Sequence, residues 1–286
     1  MARGFARKKP SRGFRPLGVF KYLALTMGAL LWIYPIVWMF SASFKTNSEL
    51  FSDKLKLIPA TFTFENIVRA WEKANFSEYF FNTVYTTAMT VAIVLVVTMM
   101  MGYIVGRFSF KGKGAVLAVL GAAAFIPSGI NIIPLFQIVK MLNLNGSLWG
   151  VIMVQAGTLN GMFVVLFATS FAAIPDELYD AARIDGAGFV RTFDSLMVPL
   201  CKPIIGSVVI IQTIWAWNEF LYPLVLTMNN AKLRTLAVGI VSLKGDLVMD
   251  WSGIAAGASI ALLPIMVIFI CLQKYFVNGV AGAVKG

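Results

Sequence analysis

Histidine is absent from this sequence of 286 residues, which removes the commonest general base and a frequent metal ligand. Only two cysteines occur, Cys201 and Cys271, with no ligand spacing and no partner close in sequence. Neither a disulfide scaffold nor a metal site is indicated, and both read as small apolar fillers at membrane ends. The pattern Gly-xxxx-Gly-Lys-Ser/Thr is missing as well, so the sequence holds no phosphate-cradling loop. An enzyme working inside a membrane needs a nucleophile with a base, or a cluster of ligands, and neither is here. Charge is scarce too: 13% of the residues are charged, against about a quarter in a soluble domain. The chain is therefore expected to be no enzyme, and its energy to come from a partner.

What is abundant is apolar surface. The sequence is 59% hydrophobic with a mean hydropathy of +0.80, more than a soluble core of this size can hide. Six apolar stretches can be read, at Leu17–Phe40, Val84–Gly106, Ala115–Val139, Leu148–Phe171, Pro203–Met228 and Gly253–Tyr275. Each is long enough for about 35 Å of helix, sufficient to cross a hydrocarbon core of about 30 Å with some tilt. The first has too long an apolar part for a signal peptide, although Ser41-Ala42-Ser43 mimics a cleavage site. These features predict an all-α polytopic membrane protein with six transmembrane helices.

The net charge of +11 reads as membrane orientation, with no nucleic acid implied. Fifteen of the 24 basic residues fall in the N-terminal segment, the link after the second stretch, the segment between the fourth and fifth, and the C-terminal end. That excess marks the cytoplasmic side and places both termini there. The expected division is a basic N-terminal segment, 1–16, a membrane body, 17–276, and a cytoplasmic tail, 277–286.

Two longer loops, Ser41–Thr83 and Asn229–Ser252, are expected outside, and loops of this length usually fold over something. Phe64–Phe76 reads as a short amphipathic helix lying on the membrane surface. Gly102-xxx-Gly106 and Gly253-xxx-Gly257 allow close helix approach, either within one subunit or at a dimer seam. Pro127 and Pro134 in the third stretch and Pro264 in the sixth are expected to kink or interrupt their helices.

The segment between the fourth and fifth stretches, 172–202, is unusually polar. Pro175 suits a helix start, and Asp176 and Glu177 suit its positive end. Helix is expected through Ile184, a stop at Gly186 and Gly188, then a second short helix to Leu196 before Pro199 and Pro203. Asp185 breaks a local rule, because a carboxylate is unfavourable at a helix C-terminus, and such violations tend to mark function. Tyr179, Ile184, Phe189 and Phe193 would face water unless covered. The unit reads as a docking surface, with a mere connector as the alternative.

Asp180-Ala181-Ala182-Arg183-Ile184-Asp185-Gly186, nine residues, then Leu196-Met197-Val198-Pro199 resembles the "EAA" loop of ABC import permeases. The family pattern is Glu-Ala-Ala-xxx-Gly, nine residues, Ile-x-Leu-Pro, and the departures here are Asp for Glu, Leu for Ile and Val for Leu. Ile36–Phe51, Trp217-Asn218-Glu219-Phe220 and Gln273–Gly286 resemble matching parts of the maltose-type carbohydrate permeases, and the likeness covers all but about the first fifteen residues. The resemblance implies the smaller permease of a pair in the bacterial inner membrane, carrying a carbohydrate: a mono- or oligosaccharide or a related polyol or glycerol phosphate. Its implied partners are a second homologous permease subunit, two ATPase subunits that bind ATP and Mg, and an extracytoplasmic solute-binding protein. It further implies that Glu177, Asp180, Ala181, Ala182, Arg183, Asp185, Gly186, Phe189 and Pro199 couple to the ATPase, and that Gly282, Ala283 and Lys285 of the tail reach it too.

Glu219 is the one acidic residue inside an apolar run, and such groups are costly and usually functional. With Trp215 and Asn218 beside it, and Gln155 and Asn160 as weaker amide candidates, it is a candidate for the solute path. A structural hydrogen bond between spans, with Trp217 as an interfacial anchor, is the plainer alternative. Asn131 and Gln137 belong to the same weaker group. An ion-coupled secondary transporter is the rival by composition, but it would usually show paired intramembrane charges and a repeated half-structure. Neither is evident.

Overall fold

The computed structural model describes residues 16–52, 56–73, 75–123, 125–127, 129–158, 160–241, 243 and 249–284. Among the described residues every regular element is helical. The basic segment before Pro16 lies outside them.

Helix α1, Pro16–Ala42, is apolar on all sides beyond Lys21 and contains Pro35. Most of its length is exposed, including Phe20, Leu31 and Trp32, and only its end, Trp38–Ala42, packs against the rest. A face this apolar is at home against lipid or another membrane helix, not water. Two short helices follow, α2 (Asn47–Ser52) and α3 (Glu65–Lys73). Helix α3 packs one face on the bundle: Ala70 is buried, and the Asn66 amide donates to the carbonyls of Ser43 and Lys45 at 2.9 and 2.7 Å.

Helix α4, Phe76–Arg107, is the central element. Its 32 residues give about 48 Å of helix. Some of its buried hydroxyls bond back to carbonyls of the same helix, as Thr83 does to Tyr79 and Thr98 to Val94, both at 2.7 Å. Polar groups inside an apolar bundle are satisfied locally in this way.

The third apolar stretch is not one helix. It divides into α5 (Lys113–Ala123) and α6 (Ile132–Met141), with Pro127 in the gap. Proline lacks the N–H that would continue the ladder, and it restricts the residue before it. Pro134 sits in the first turn of α6, where it costs no hydrogen bond. Pro264 stays inside a continuous final helix. The fourth stretch is a bent pair, α7 (Leu148–Gly157) and α8 (Gly161–Ala172), and the Ser147 hydroxyl caps α7 by accepting from Trp149 N.

Next come α9 (Asp176–Ile184), α10 (Phe189–Thr192), a π-turn (Phe193–Met197) and α11 (Val198–Leu200). The axis then swings by 80° into α12, Lys202–Asn218. Pro203 opens α12. The chain closes with α13 (Leu221–Leu226), α14 (Leu236–Val241) and α15 (Trp251–Val284). Among the described residues three helices are long and apolar enough to cross a membrane, or up to five spans if each bent pair counts as one.

Helix α4 packs most extensively on α8, and also on α12 and α7, while α12 lies along α15. Gly102 and Gly106 explain the first pairing. A Cβ at Gly102 would sit 2.4 Å from the Phe167 Cβ, and one at Gly106 would sit 2.5 Å from the Ala168 carbonyl oxygen. This glycine pair therefore serves packing within one subunit. Gly257 likewise faces Leu243, Ile240 and Phe76 of its own chain.

Candidate functional site: a projecting helical loop and a polar cavity

Helix α9 begins after Pro175, with Asp176 and Glu177 in its first turn and Arg183 in its last. These three charges match the helix dipole, whereas Asp185 at the C-cap opposes it. It closes by a double hydrogen bond: Gly186 N–H donates to the Arg183 carbonyl at 3.0 Å, and Ala187 N–H to the Ala182 carbonyl at 2.9 Å. This is the Schellman arrangement, which requires a left-handed residue just past the helix. Gly186, at φ +80°, supplies it.

The loop is divided between anchor and surface. Tyr179, Phe193 and Leu196 pack against a core built from Tyr103, Phe167, Phe171 and Met197. Tyr103 is the hub, with its ring centroid 5.0 Å from that of Phe189 and 5.2 Å from that of Phe193. The π-turn accommodates this aromatic cluster. Tyr179 and Phe193, which would face water unless covered, are partly buried under the aromatic end of α4. Ile184 does project, at 86% exposure, and Leu178, Phe189 and Val190 are exposed beside it.

Of the coupling candidates, Glu177, Asp180, Ala181, Arg183, Asp185, Gly186, Phe189 and Pro199 are exposed, and Ala182 is half-buried under the turn. The Cys201 thiol, where the chain turns into α12, is pushed up to about 11 by burial. Gly282 and Ala283 belong to the last turns of α15, and Lys285 lies outside the described residues.

The second feature is a cavity of about 700 Å³ lined by α7 and α12, the end of α5, the start of α13 and residues of the links between α5 and α6 and between α7 and α8. Trp215, Asn218, Glu219, Gln155 and Asn160 all line it, and so does Asn131. Gln137 is exposed on α6 and does not. Trp217 does not either: it is buried, and its Nε1 donates to the Ala261 carbonyl of α15 at 3.1 Å. Helical spacing separates the two tryptophans, so Trp215 faces the cavity and Trp217 serves the interhelical bond.

Glu219 has a structural duty. Its Oε1 accepts from the N–H groups of Leu221 and Tyr222 at 3.0 and 3.3 Å, capping α13 where the fifth stretch breaks. Sequence reasoning missed Gln212 and Thr158 on the wall. Gln212 stands one helical turn before Ala216 on the same face as Trp215 and Glu219. That spacing was the available signal. Among the described residues no three His, Cys, Asp or Glu side chains gather as a metal site.

A bundle with an apolar exterior, a polar cavity between its helices and a helical loop projecting from one end is a membrane transport subunit. The chain belongs to the family described as "Binding-protein-dependent transport system inner membrane component", whose pattern matches residues 98–282. It is 32% identical over 281 residues to a probable ABC transporter permease protein of Bacillus subtilis (strain 168), covering 98% of this chain and 91% of that one. It is 30% identical over 268 residues to an arabinooligosaccharides transport system permease protein of the same organism, covering 92% and 94%. A bacterial ABC transporter involved in import of the acidic polysaccharide alginate shares its fold. The TM-score there is 0.78 at 21% identity, covering 94% of this chain and 99% of that one. The chain is accordingly a transport subunit and not a catalyst.

Proposed function

We propose that this chain is half of the translocation path of an ATP-driven importer that takes up a carbohydrate delivered by an extracytoplasmic binding protein. The carbohydrate reading rests on the arabinooligosaccharide relative and on the polar, aromatic-walled cavity. A second, homologous permease completes the path. Two ATPase subunits, which bind ATP and Mg, sit on the cytoplasmic side. Six spans, both termini in the cytoplasm and a seat in the bacterial inner membrane complete the reading. The fifteen basic residues and the family's own description support it.

The loop 172–202 is the seat for the ATPase. The observation that carries this is the split along it: Tyr179 and Phe193 are locked into the aromatic core, while Leu178, Ile184 and Val190 stand out into open space. A rigid base with an apolar crest transmits force from a partner groove, and a flexible connector would not. Glu177, Asp180, Ala181, Arg183, Asp185, Gly186, Phe189 and Pro199 make the contact surface, and Ala182 supports it. Gly282, Ala283 and Lys285 extend the contact from the tail.

The test is uptake of radiolabelled arabinotriose and raffinose by right-side-out vesicles carrying the full complex, with the binding protein outside and ATP loaded inside. ATP-dependent uptake that survives a protonophore is expected. Uptake abolished by the protonophore and indifferent to ATP would establish the ion-coupled alternative.

A further inference from the structure

We propose that the cavity between α7 and α12 is a binding site, within this subunit, for an uncharged polyhydroxylated solute read by Gln155 and Gln212. The proposal rests on the import reading above and narrows it.

Gln155 and Gln212 are buried at 5% and 4% exposure, yet Gln155 Nε2 and Gln212 Oε1 have no hydrogen-bond partner. A buried polar atom left unpaired is costly, and when it faces a cavity the missing partner belongs there. The Gln155 amide is held in place, since Thr90 Oγ1 donates to its Oε1 at 3.1 Å. One fixed donor and one acceptor therefore stand unpaired at the wall, both almost fully covered by their neighbours. A hydroxyl group is both at once, so a sugar satisfies the two amides in either direction.

Trp215 supplies the flat surface. One face of its indole stacks on Phe163, with centroids 5.4 Å apart and planes inclined by 23°. The residue is 50% exposed and lines the cavity, which leaves an apolar face for the C–H side of a sugar ring. The volume falls within the range of about 300–1,000 Å³ usual for small-molecule sites.

Charge selects the class. No lysine or arginine lines the cavity among the described residues, and its only ionisable groups are Glu219 and Tyr222. Glu219 is engaged in capping α13. An anionic solute would meet a carboxylate with no cation to offset it, at a real electrostatic cost in a partly desolvated site. The lining therefore favours neutral saccharides over uronic acids and glycerol phosphates.

The experiment uses the complete importer in cells, with radiolabelled arabinotriose and raffinose as neutral probes and glycerol 3-phosphate as the anionic one. Gln155→Leu and Gln212→Leu are tested singly, with co-purification of the ATPase verifying assembly. Gln155→Asn and Gln212→Asn keep an amide while shortening its reach. The expected result is uptake of a neutral probe and none of glycerol 3-phosphate, with each leucine variant lowering neutral uptake about tenfold. The asparagine variants should fall between. Unaltered uptake in both assembled leucine variants overturns the site and leaves the import function standing, the cavity then holding water only. Uptake of glycerol 3-phosphate in place of the sugars overturns the neutral class. Uptake of neither class by the unaltered importer overturns the carbohydrate reading, and the site with it. Should a leucine variant fail to assemble, full uptake in the matching asparagine variant overturns that residue's role.

Discussion

Arg107, the last residue of α4, donates from Nη1 to Asp176 Oδ1 at 2.9 Å and lies over the Tyr179 ring at 5.1 Å from its centroid. One guanidinium thus ties the end of the longest buried helix to the first turns of the projecting one. The two partners are unequal. The Arg107 side chain is 7% exposed, whereas that of Asp176 is 86% exposed.

An ion pair to so exposed a carboxylate contributes little, because water screens it. The face of Tyr179 is the stronger hold, worth about 0.5–2 kcal/mol as the site is desolvated. Asp176→Asn should therefore leave transport and thermal stability nearly unchanged. Arg107→Ala should lower the melting temperature of the purified complex and reduce solute moved per ATP hydrolysed. Equal effects from both variants would mean that the ion pair, and not the stacking, carries the joint.

Gly186 makes a sharper test of the projecting loop. A Cβ there would meet nothing within 4 Å, so a substitution clashes with no part of this chain. Only the left-handed backbone, φ +80°, resists it. A β-branched residue pays about 1–2 kcal/mol in that conformation, and asparagine less. Gly186→Val should cut ATP-driven uptake at least about tenfold at normal membrane levels, with Gly186→Asn retaining much of it. Full activity in both variants would argue that nothing seats on this turn.

How far these features were legible in the sequence varies with the physics behind them. The helix from Asp176 to Ile184 and its glycine stop were readable, because capping and left-handed turns are local matters of adjacent residues. Pro127 announced the break in the third stretch for the same reason. Burial of Tyr179 and Phe193 was not readable, since it depends on Tyr103, some 75–90 residues earlier. Glu219 stood out for its charge alone. Its task of capping α13 needed the break at Asn218, which hydropathy does not register. Gln155 was singled out as an amide in an apolar run, but Gln212 was passed over. Only the fold brings the two to one wall.

The glycine seam gives a stability prediction with an internal control. Gly102 and Gly106 meet backbone and Cβ atoms of α8, which have nowhere to retreat. Overpacking of this kind costs about 1–3 kcal/mol or more. Gly121 in α5 has nothing within 4 Å, and alanine there should gain about 0.5–1 kcal/mol from reduced chain entropy. Gly102→Leu and Gly106→Val should reduce the amount of folded subunit recovered in detergent, as judged by size-exclusion chromatography, while Gly121→Ala leaves it unchanged. A normal yield of Gly102→Leu would show that α4 and α8 do not pack this closely in the membrane.

At the far end of α4, Asp250 closes a clamp that should respond to acid alone. Its carboxylate accepts from Arg69 Nε at 2.6 Å and Nη2 at 3.1 Å, from Asn47 Nδ2 at 3.2 Å and from Gly253 N at 3.0 Å. Three segments meet there: α2, α3 and the start of α15. Burial on its own raises the Asp250 pKa. The Arg69, Gly253 and Asn47 hydrogen bonds and the Arg69 charge outweigh it and hold the group below its ordinary value of 3.8. A carboxylate depressed in the folded state adds stability above its unfolded pKa and loses it as pH falls through the folded one. Asp250→Asn should therefore cost about 2 kcal/mol at neutral pH, the worth of charge-assisted hydrogen bonds. The difference from the unaltered protein, followed by thermal unfolding of the purified complex, should stay constant from about pH 7 to about pH 5 and shrink only below about pH 4. A difference that vanishes near neutrality would assign the clamp's strength to some other group. The two extended loops would then be held by their apolar contacts alone, through Ala70, Leu236 and Leu243.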